Sequence, residues 1–203
     1  MTHNKPDTLL DECIFIAEKI IPADLCDAIV NDIETREWEP HEWYNSQADE
    51  RHSNETMELD IQPTSPQLQK VLGNVVRDAA AQYNTNYSFQ FSNNIEGRGN
   101  YVGQLIHDFC PIRFNRYAPG QIMRQHHDHI HSLFDGKIKG VPVLSFILNL
   151  NDDYEGADLY FWEDTIVKLG KGDIIMFPSN FLYPHGVTEA TKGKRYSAVT
   201  WAW

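Results

Sequence analysis

Two histidines and one aspartate are the residues of this chain whose types and spacing best suit metal chemistry. His126 and Asp128 stand two residues apart in a histidine-rich run. In an extended segment, residues i and i+2 point to the same face, so both side chains can reach one metal ion. A further histidine from far along the chain, such as His185, would complete a two-histidine, one-carboxylate set. Such a set leaves coordination positions open and is typical of non-haem Fe(II) centres.

The same run offers other interpretations. On a strand, His127, His129 and His131 would share the face opposite to His126 and Asp128. A Zn²⁺ site built on those three histidines is a competing hypothesis, and a solvent-facing histidine cluster is another. Periodicity alone does not choose between them.

A cation follows the distal histidine at a distance that suits a shared cavity. His185 comes after an apolar strand at 173–177, and Arg195 opens a final strand ten residues later. Residues on adjacent antiparallel strands can lie at different depths of one cavity, with the metal at the mouth and the guanidinium deeper. A bidentate guanidinium suits the far carboxylate of a dicarboxylic cosubstrate. Alternation places Arg195 and Trp201 on one face, and the hydroxyl of Tyr117 can donate to the same carboxylate.

The elements that must position these residues change type along the chain. Residues 23–38 and 66–83 have apolar side chains at helical spacing, and Ser65 suits an N-cap. Between them, residues 39–64 form a polar excursion, which predicts either a lid or binding loop or a disordered surface loop, with at most a short strand near 57–61. From residue 87 onward, short aromatic and β-branched runs alternate with turn residues, which predicts a β sandwich or barrel. The predicted strands are one within 9–21 and then 87–91, 105–109, 112–117, 143–150, 159–162, 166–169, 174–177, 186–188 and 196–203.

Size and composition limit the class of protein. The 203 residues, 41% of them hydrophobic, predict one globular domain, and the sequence has no apolar run long enough to span a membrane. The net charge of −12 comes without clustered Lys and Arg, which argues against a nucleic-acid partner. Three cysteines, an odd number, argue against a disulfide framework and a cysteine zinc site. We expect a cytoplasmic protein of open oligomeric state.

Five segments together resemble the Fe(II)/2-oxoglutarate-dependent oxygenase superfamily, and within it the prolyl 4-hydroxylase-like group. That group has a Tyr-x-x-Gly segment, a His-x-Asp pair, a distal histidine, a Gly-x-Arg/Lys segment and then a tryptophan. The chain has the same order in Tyr117–Gly120, His126–Asp128, His185, Gly193–Arg195 and Trp201. The acidic turn at 152–159 and the strand at 171–178 are also similar to those of the group. The N-terminal half matches only in its general helical layout.

The resemblance implies a fold that is mainly β with N-terminal helices and a double-stranded β-helix (jelly-roll) core. It implies one oxygenase domain over residues 1–203, with helical support and a substrate loop in 1–86 and the β core in 87–203. The implied cofactors are Fe(II), 2-oxoglutarate and O₂, with ascorbate as a possible reductant. His126, Asp128 and His185 would bind the metal and Arg195 the C5 carboxylate, so these four are the implied catalytic residues. The other implied cofactor-binding residues are Tyr117, Asn149 and Trp201.

The implied reaction is hydroxylation of a residue in a protein or peptide, with proline first. Met123 stands where the group often has tyrosine, and the turn at 156–158 is Gly-Ala-Asp rather than Gly-Gly-Glu. Neither change touches the metal set, but both leave the hydroxylase subgroup open. The alternatives are the same chemistry on a free amino acid or other small molecule, and a non-catalytic β-barrel binding module that keeps the metal residues as structure.

Overall fold

A computed structural model describes residues 10–45, 50–53, 57–92, 106–128 and 142–203. The N-terminal elements are a 3-10 turn (Asp11–Cys13), β1 (Phe15–Ala17), α1 (Ala23–Ile33), β2 (Glu39–Pro40), β3 (Glu42–Asn45), β4 (Glu50–Ser53), β5 (Asp60–Pro63) and α2 (Pro66–Ser92). The later strands are β6 (Arg113–Tyr117), β7 (Met123–His126), β8 (Leu144–Asn149), β9 (Glu155–Gly156), β10 (Leu159–Phe161), β11 (Thr165–Val167), β12 (Ile174–Pro178), β13 (His185–Val187), β14 (Ala190–Lys192) and β15 (Arg195–Ala202).

The strands form two main sheets. The major sheet has seven strands in the order β1-β12-β8-β15-β6-β5-β2, and the minor sheet has four in the order β11-β10-β13-β7. Apolar side chains from both sheets form a core between them, which includes Leu159, Phe161, Ile175 and Phe177. The predicted fold, mainly β with two supporting helices and a jelly-roll core, is confirmed.

The two faces of the major sheet carry different side chains because successive residues of a strand alternate. On β15, Tyr196 and Ala198 belong to a core shared with α1 and α2, which we call the outer face. Arg195, Ser197 and Trp201 alternate with them and line a cavity on the other side, which we call the inner face. The register of β15 against β6 and β8 fixes which residues of the three strands meet on each face.

Two helix predictions were wrong in their limits. Helix α1 ends at Ile33 rather than at residue 38, and α2 continues to Ser92, so the strand predicted at 87–91 does not exist. Tyr83 and Tyr87, one turn apart, stack with ring centroids 4.2 Å apart and donate their hydroxyls to the carbonyls of Cys13 and Glu12. These contacts favour helix over the β preference of the local residues.

The predicted cap of α2 is confirmed, and one predicted core residue is not. The amide of Leu68 donates to Ser65 Oγ (3.3 Å), as expected for an N-cap ahead of Pro66. The helix buries Leu72 and Val76, but Val71 is 41% exposed although its spacing predicted an inward side chain. Residue 71 therefore lies outside the apolar stripe that packs on the sheet.

The excursion at residues 39–64 has more strand than the sequence predicted. Strands β2 and β5 extend the edge of the major sheet, and β3 pairs with β4 as a hairpin. Arg116 on β6 pairs with Asp60 (2.9 Å) and Glu34 (3.4 Å) and stacks over Trp38, which ties β5 and the end of α1 to the sheet. No helix among the described residues is long and apolar enough to cross a membrane. The expected cytoplasmic location stays a prediction.

Candidate metal centre

The three predicted metal ligands meet at one point between the sheets. His126 ends β7 and His185 begins β13, and the two residues pair directly across these antiparallel strands. Asp128 follows two residues after His126. One ligand atom from each of the three side chains lies within 4.8 Å of the others. The His-x-Asp spacing thus brings both side chains to the same ion-sized site as the distal histidine.

Each histidine is held with the same ring nitrogen facing that site. His126 Nδ1 lies 2.9 Å from the carbonyl oxygen of Arg124, and His185 Nδ1 lies 3.0 Å from that of Tyr183. A carbonyl only accepts, so Nδ1 carries a proton in both rings and Nε2 is the nitrogen that can bind a metal. The Nε2 atoms lie 3.4 and 3.6 Å from the oxygens of Asp128. This second contact through Nδ1 is the one that metal-binding histidines commonly make.

The protonation states of Asp128 and His185 at neutral pH are also those that bind a metal ion. Burial disfavours the charge of Asp128, but His185, His126 and Ser145 together hold the pKa of the carboxyl well below its usual range. Burial lowers the pKa of His185 to about 4, although Asp128 acts in the opposite direction. At neutral pH the site therefore has an anionic carboxylate and a neutral imidazole, the forms that bind metal ions. Ser145 Oγ donates to Asp128 (2.6 Å) and is itself joined to Ser179 (2.7 Å).

Arg195 is a buried cation at the inner end of the same cavity. Only 1% of the residue is exposed. Its Nε donates to Asn149 Oδ1 (3.1 Å) and its Nη1 to the carbonyl of Ala157 (2.9 Å). These acceptors are neutral, and no carboxylate pairs with Arg195 in the part of the chain that the structure describes. A buried charge normally has a partner of opposite sign, so the guanidinium suits an anionic ligand.

The other three predicted cofactor-binding residues have different positions. Tyr117 and Trp201 both line the cavity, and the guanidinium carbon of Arg195 lies 5.6 Å from the centre of the Tyr117 ring. Burial raises the pKa of Tyr117 despite the nearby cations, so its hydroxyl is a neutral donor. Asn149 is fully buried behind Arg195 and donates to three backbone carbonyls. Asn149 therefore orients Arg195, and its direct contact with a cofactor stays a prediction.

Two turns explain the glycines of the recognised segments. Ala118–Gln121 closes with a hydrogen bond from the amide of Gln121 to the carbonyl of Ala118 (2.9 Å). Pro119 and Gly120, with φ of 89° at the glycine, give the sequence and backbone of a type II turn between β6 and β7. Gly193 has φ of 70°, and a Cβ there would lie 2.6 Å from the carbonyl oxygen of Asp153. This turn leads into β15 and so sets the position of Arg195.

These residues line one cavity, whose volume is about 40 Å³. The first strands of the excursion lie beside it. The Trp43 ring is 5.4 Å from the ring of His126, and Trp43 Nε1 donates to the buried carboxylate of Glu58, which also pairs with Arg124. The hairpin β3–β4 therefore begins next to the metal site, while residues 46–49 and 54–56 lie outside the described part.

Sequence reasoning missed several cavity residues. Arg113 and Asn115 precede Tyr117 on β6 by four and two residues and line the same cavity. The alternation that identified the face of β15 would have found them on β6. Ser145 gave no comparable signal, because a lone serine in an apolar strand has no distinguishing pattern. Of the alternative zinc set, His127 is exposed, and His129 and His131 lie outside the described residues.

Comparison with known proteins gives a family match over the second half of the chain. Residues 112–203 match the sequence profile of the 2OG-Fe(II) oxygenase superfamily. A PKHD-type hydroxylase of Shewanella sp. (strain MR-7) is 35% identical over 98 residues, which are 46% of this chain and 42% of that protein. A PKHD-type hydroxylase of Acinetobacter baumannii (strain ATCC 17978) is 36% identical over 104 residues, 48% of this chain and 44% of that protein. The chain thus spans less than half the length of these relatives.

Similar solved structures cover nearly the whole chain. A prolyl-4-hydroxylase of Pseudomonas putida has a TM-score of 0.60 at 22% identity and covers 96% of both chains. A prolyl hydroxylase of Trichoplax adhaerens, in complex with a peptide fragment of the hypoxia inducible factor oxygen degradation domain, has a TM-score of 0.66 at 17% identity. That match covers 96% of this chain and 85% of the other. At such identities the likeness shows the shared fold, including the helical N-terminal half.

Proposed function

We propose that this chain is a 2-oxoglutarate-dependent dioxygenase of the prolyl 4-hydroxylase-like group, because residues 112–203 match the 2OG-Fe(II) oxygenase superfamily. One observation carries the proposal: a two-histidine, one-carboxylate set shares one cavity with a buried guanidinium that pairs with no carboxylate among the described residues. The first suits Fe(II) and the second suits the distal carboxylate of 2-oxoglutarate.

The residues present fit this pair of cofactors. His126, Asp128 and His185 would hold the iron, with Nε2 of each imidazole and the carboxylate already facing one point. Arg195 would bind the C5 carboxylate, and the neutral hydroxyl of Tyr117 would donate to it. Asn149 and the carbonyl of Ala157 would keep the guanidinium fork in place before the cosubstrate arrives. Such preorganisation avoids reordering the site on binding.

With O₂, the bound iron and 2-oxoglutarate supply the oxidising chemistry: one oxygen atom enters a substrate C–H bond as hydroxyl, and the other leaves in succinate, with release of CO₂. The chain's own part is to bind, orient and shield. Phe161 and Phe177 pack against the ring of His185, with Phe177 4.7 Å away, and keep water from that side of the site. Ser145 fixes the Asp128 carboxylate by its hydrogen bond.

For the substrate, we propose a residue in a protein or peptide, with proline as the first candidate. The Trichoplax prolyl hydroxylase is described with a peptide bound, and its fold matches this chain over nearly its full length. In this chain the β3–β4 hairpin begins beside the metal site with Trp43 against His126, which gives an extended peptide an aromatic surface at the cavity mouth. A soluble cytoplasmic location is part of the same proposal.

The test is Fe(II)-dependent formation of succinate from 2-oxoglutarate, followed by mass spectrometry of proline-containing peptides. We expect slow succinate formation without peptide, faster formation with a substrate peptide, and a 16-dalton gain in that peptide. Asp128→Ala should lower turnover by about 100-fold or more, because the iron loses its only carboxylate ligand. Arg116→Gln, on the outer face, is the matched control that keeps the site. A protein that binds neither Fe(II) nor 2-oxoglutarate would instead be a non-catalytic module.

A further inference from the structure

A second guanidinium, that of Arg113, lies in the cavity and has no assigned partner. The Arg113 side chain lines the cavity, and its Nε is a buried donor that meets no acceptor among the described residues. Its guanidinium carbon lies 5.5 Å from the centre of the Trp201 ring. Burial lowers the pKa of Arg113, with Tyr117 and Asp128 acting in the opposite direction. Arg113 as a whole is half-buried, but a buried Nε that makes no hydrogen bond is costly unless something binds there.

Arg113 and Arg195 stand at different ends of the inner face. Arg195 pairs in register with Tyr117, while Arg113 pairs with Val199, four residues further along both strands. Four residues of a β-strand span about 13 Å. The two carboxyl carbons of an extended five-carbon dicarboxylate are only about 5 Å apart, at about 1.5 Å per bond. With the metal and Arg195 holding the cosubstrate, Arg113 is left for a different ligand.

The sum of the charges in the cavity also indicates a second ligand for Arg113. In the loaded site, Fe(II) and dianionic 2-oxoglutarate cancel each other, and the charge of Asp128 cancels that of Arg195. The charge of Arg113 stays unmatched. Glu58, the buried carboxylate on that side, is already paired with Arg124 (2.5 Å) and accepts from Trp43. One further negative charge would neutralise the cavity.

The side-chain amide of Asn115 also has an atom without a hydrogen-bond partner among the described residues. Asn115 is 4% exposed and lies between Arg113 and Tyr117 on the inner face of β6. Its Oδ1 is buried and meets no donor in the described part of the chain. An unpartnered donor and an unpartnered acceptor on one strand make a polar site beside Trp201, which lies on the same face of the neighbouring strand β15. A carboxylate that has an N–H or O–H nearby would satisfy both groups.

We propose that Arg113 binds a carboxylate of the substrate, so that this enzyme selects substrates with an anionic group close to the hydroxylated carbon. The proposal rests on the oxygenase function and adds a substrate class to it. The carboxylate has two sources: the α-carboxylate of a free amino acid or chain terminus, and an Asp or Glu side chain beside the target residue of a peptide. In each case the guanidinium supplies a two-pronged donor and Asn115 accepts from an adjacent N–H or O–H.

The test compares carboxylate probes with their amides. The probes are free L-proline and L-prolinamide, a proline-ending peptide with a free or amidated C-terminus, and an internal-proline peptide with Asp or Asn beside the proline. Binding is measured without O₂ in the Fe(II)- and 2-oxoglutarate-loaded protein by tryptophan fluorescence, since Trp201 adjoins the site. Turnover and the 16-dalton gain are then measured with O₂. We expect at least one carboxylate probe to bind about 10- to 100-fold more tightly than its amide.

The variants separate charge from geometry. Arg113→Gln should abolish the preference for carboxylate over amide, while the affinity for 2-oxoglutarate stays within about threefold of wild type. Arg113→Lys should keep part of the preference, because it keeps the charge and loses the planar fork. Arg116→Gln, on the same strand but the outer face, should leave the preference intact.

Three results would overturn the proposal: amides that bind as tightly as carboxylates, no carboxylate probe binding at all, or an Arg113→Gln protein that loses 2-oxoglutarate affinity instead. The last would assign Arg113 to the cosubstrate. Each of these is read beside a wild type that still makes succinate, so each differs from failure of the oxygenase function itself, in which wild type neither binds 2-oxoglutarate nor turns it over.

Discussion

The two faces of the major sheet have different roles: the outer face packs in the apolar core, and the inner face carries the polar side chains of the cavity. On the outer face, Leu148 and Ala198 are fully buried against the helices in a core of apolar side chains. On the inner face, their strand neighbours are Asn149 and Ser197, and the guanidinium of Arg195 lies among them. Alternation places an apolar core and a polar cavity one residue apart. We therefore expect substitutions on the two faces to have different effects: on unfolding for the outer face and on ligands for the inner one.

The largest effect expected on stability comes from Leu148→Ala on the outer face. Leu148 pairs with Ala198 and Ile174 across its two neighbouring strands and has no exposed surface. Truncation leaves a cavity that these strands cannot close, and should lower the free energy of unfolding by about 2–5 kcal/mol. Urea unfolding measures this loss. The affinity for 2-oxoglutarate of the folded fraction should stay near that of wild type, and a tenfold loss would show that the two faces are not separable.

Low pH should lower the unfolding free energy of the metal-free protein, because the buried His185 is harder to protonate in the folded state. The pKa of His185 is about 4 when folded and 6.5 in the reference state, so between these values the unfolded chain binds the proton and the folded chain does not. Stability is therefore lost as pH falls from 6.5 towards 4, by about 3 kcal/mol at pH 4. Unfolding curves of wild type and His185→Gln across this range should converge at low pH. Parallel curves would mean that His185 titrates normally.

Arg195→Met should affect a ligand more than the fold. The variant loses a charged two-pronged donor, so the dissociation constant of 2-oxoglutarate should rise about 10- to 100-fold. In the described part of the chain, Arg195 donates to neutral acceptors and pairs with no carboxylate, so its replacement by an apolar chain should change the unfolding free energy less than Leu148→Ala does. Calorimetric titration without O₂ gives the first quantity and urea unfolding the second. The opposite ranking would make Arg195 a structural residue.

The sequence allowed the site to be predicted where a backbone constraint or a strand period ties residues together. His126 and Asp128 reach one point because of their spacing. Trp201 was placed on the same face as Arg195 by alternation alone. These relations are either local in the sequence or follow from the alternation of side chains along a single strand.

What the sequence did not reveal depends on contacts between distant segments. Helix α2 continues through residue 87 because Tyr83 and Tyr87 reach carbonyls near the start of the chain. The position of Asn149 behind Arg195 depends on how β8 and β15 pair, which no local pattern encodes. Arg113 shares a face with Tyr117 by alternation, but an isolated arginine is normally solvated. Its position beside Trp201 depends on the pairing of β6 with β15.

The central place of β15 has a consequence for how the protein folds. This strand lies between β8 and β6, and both of its partners come from segments far away in the sequence. Such non-local pairings cost loop-closure entropy before they gain contacts, so folding should be slow for a chain of this size. The strands β7 and β13 that carry the histidines are also far apart in the sequence, so the metal ligands and Arg195 should come together in the same slow step.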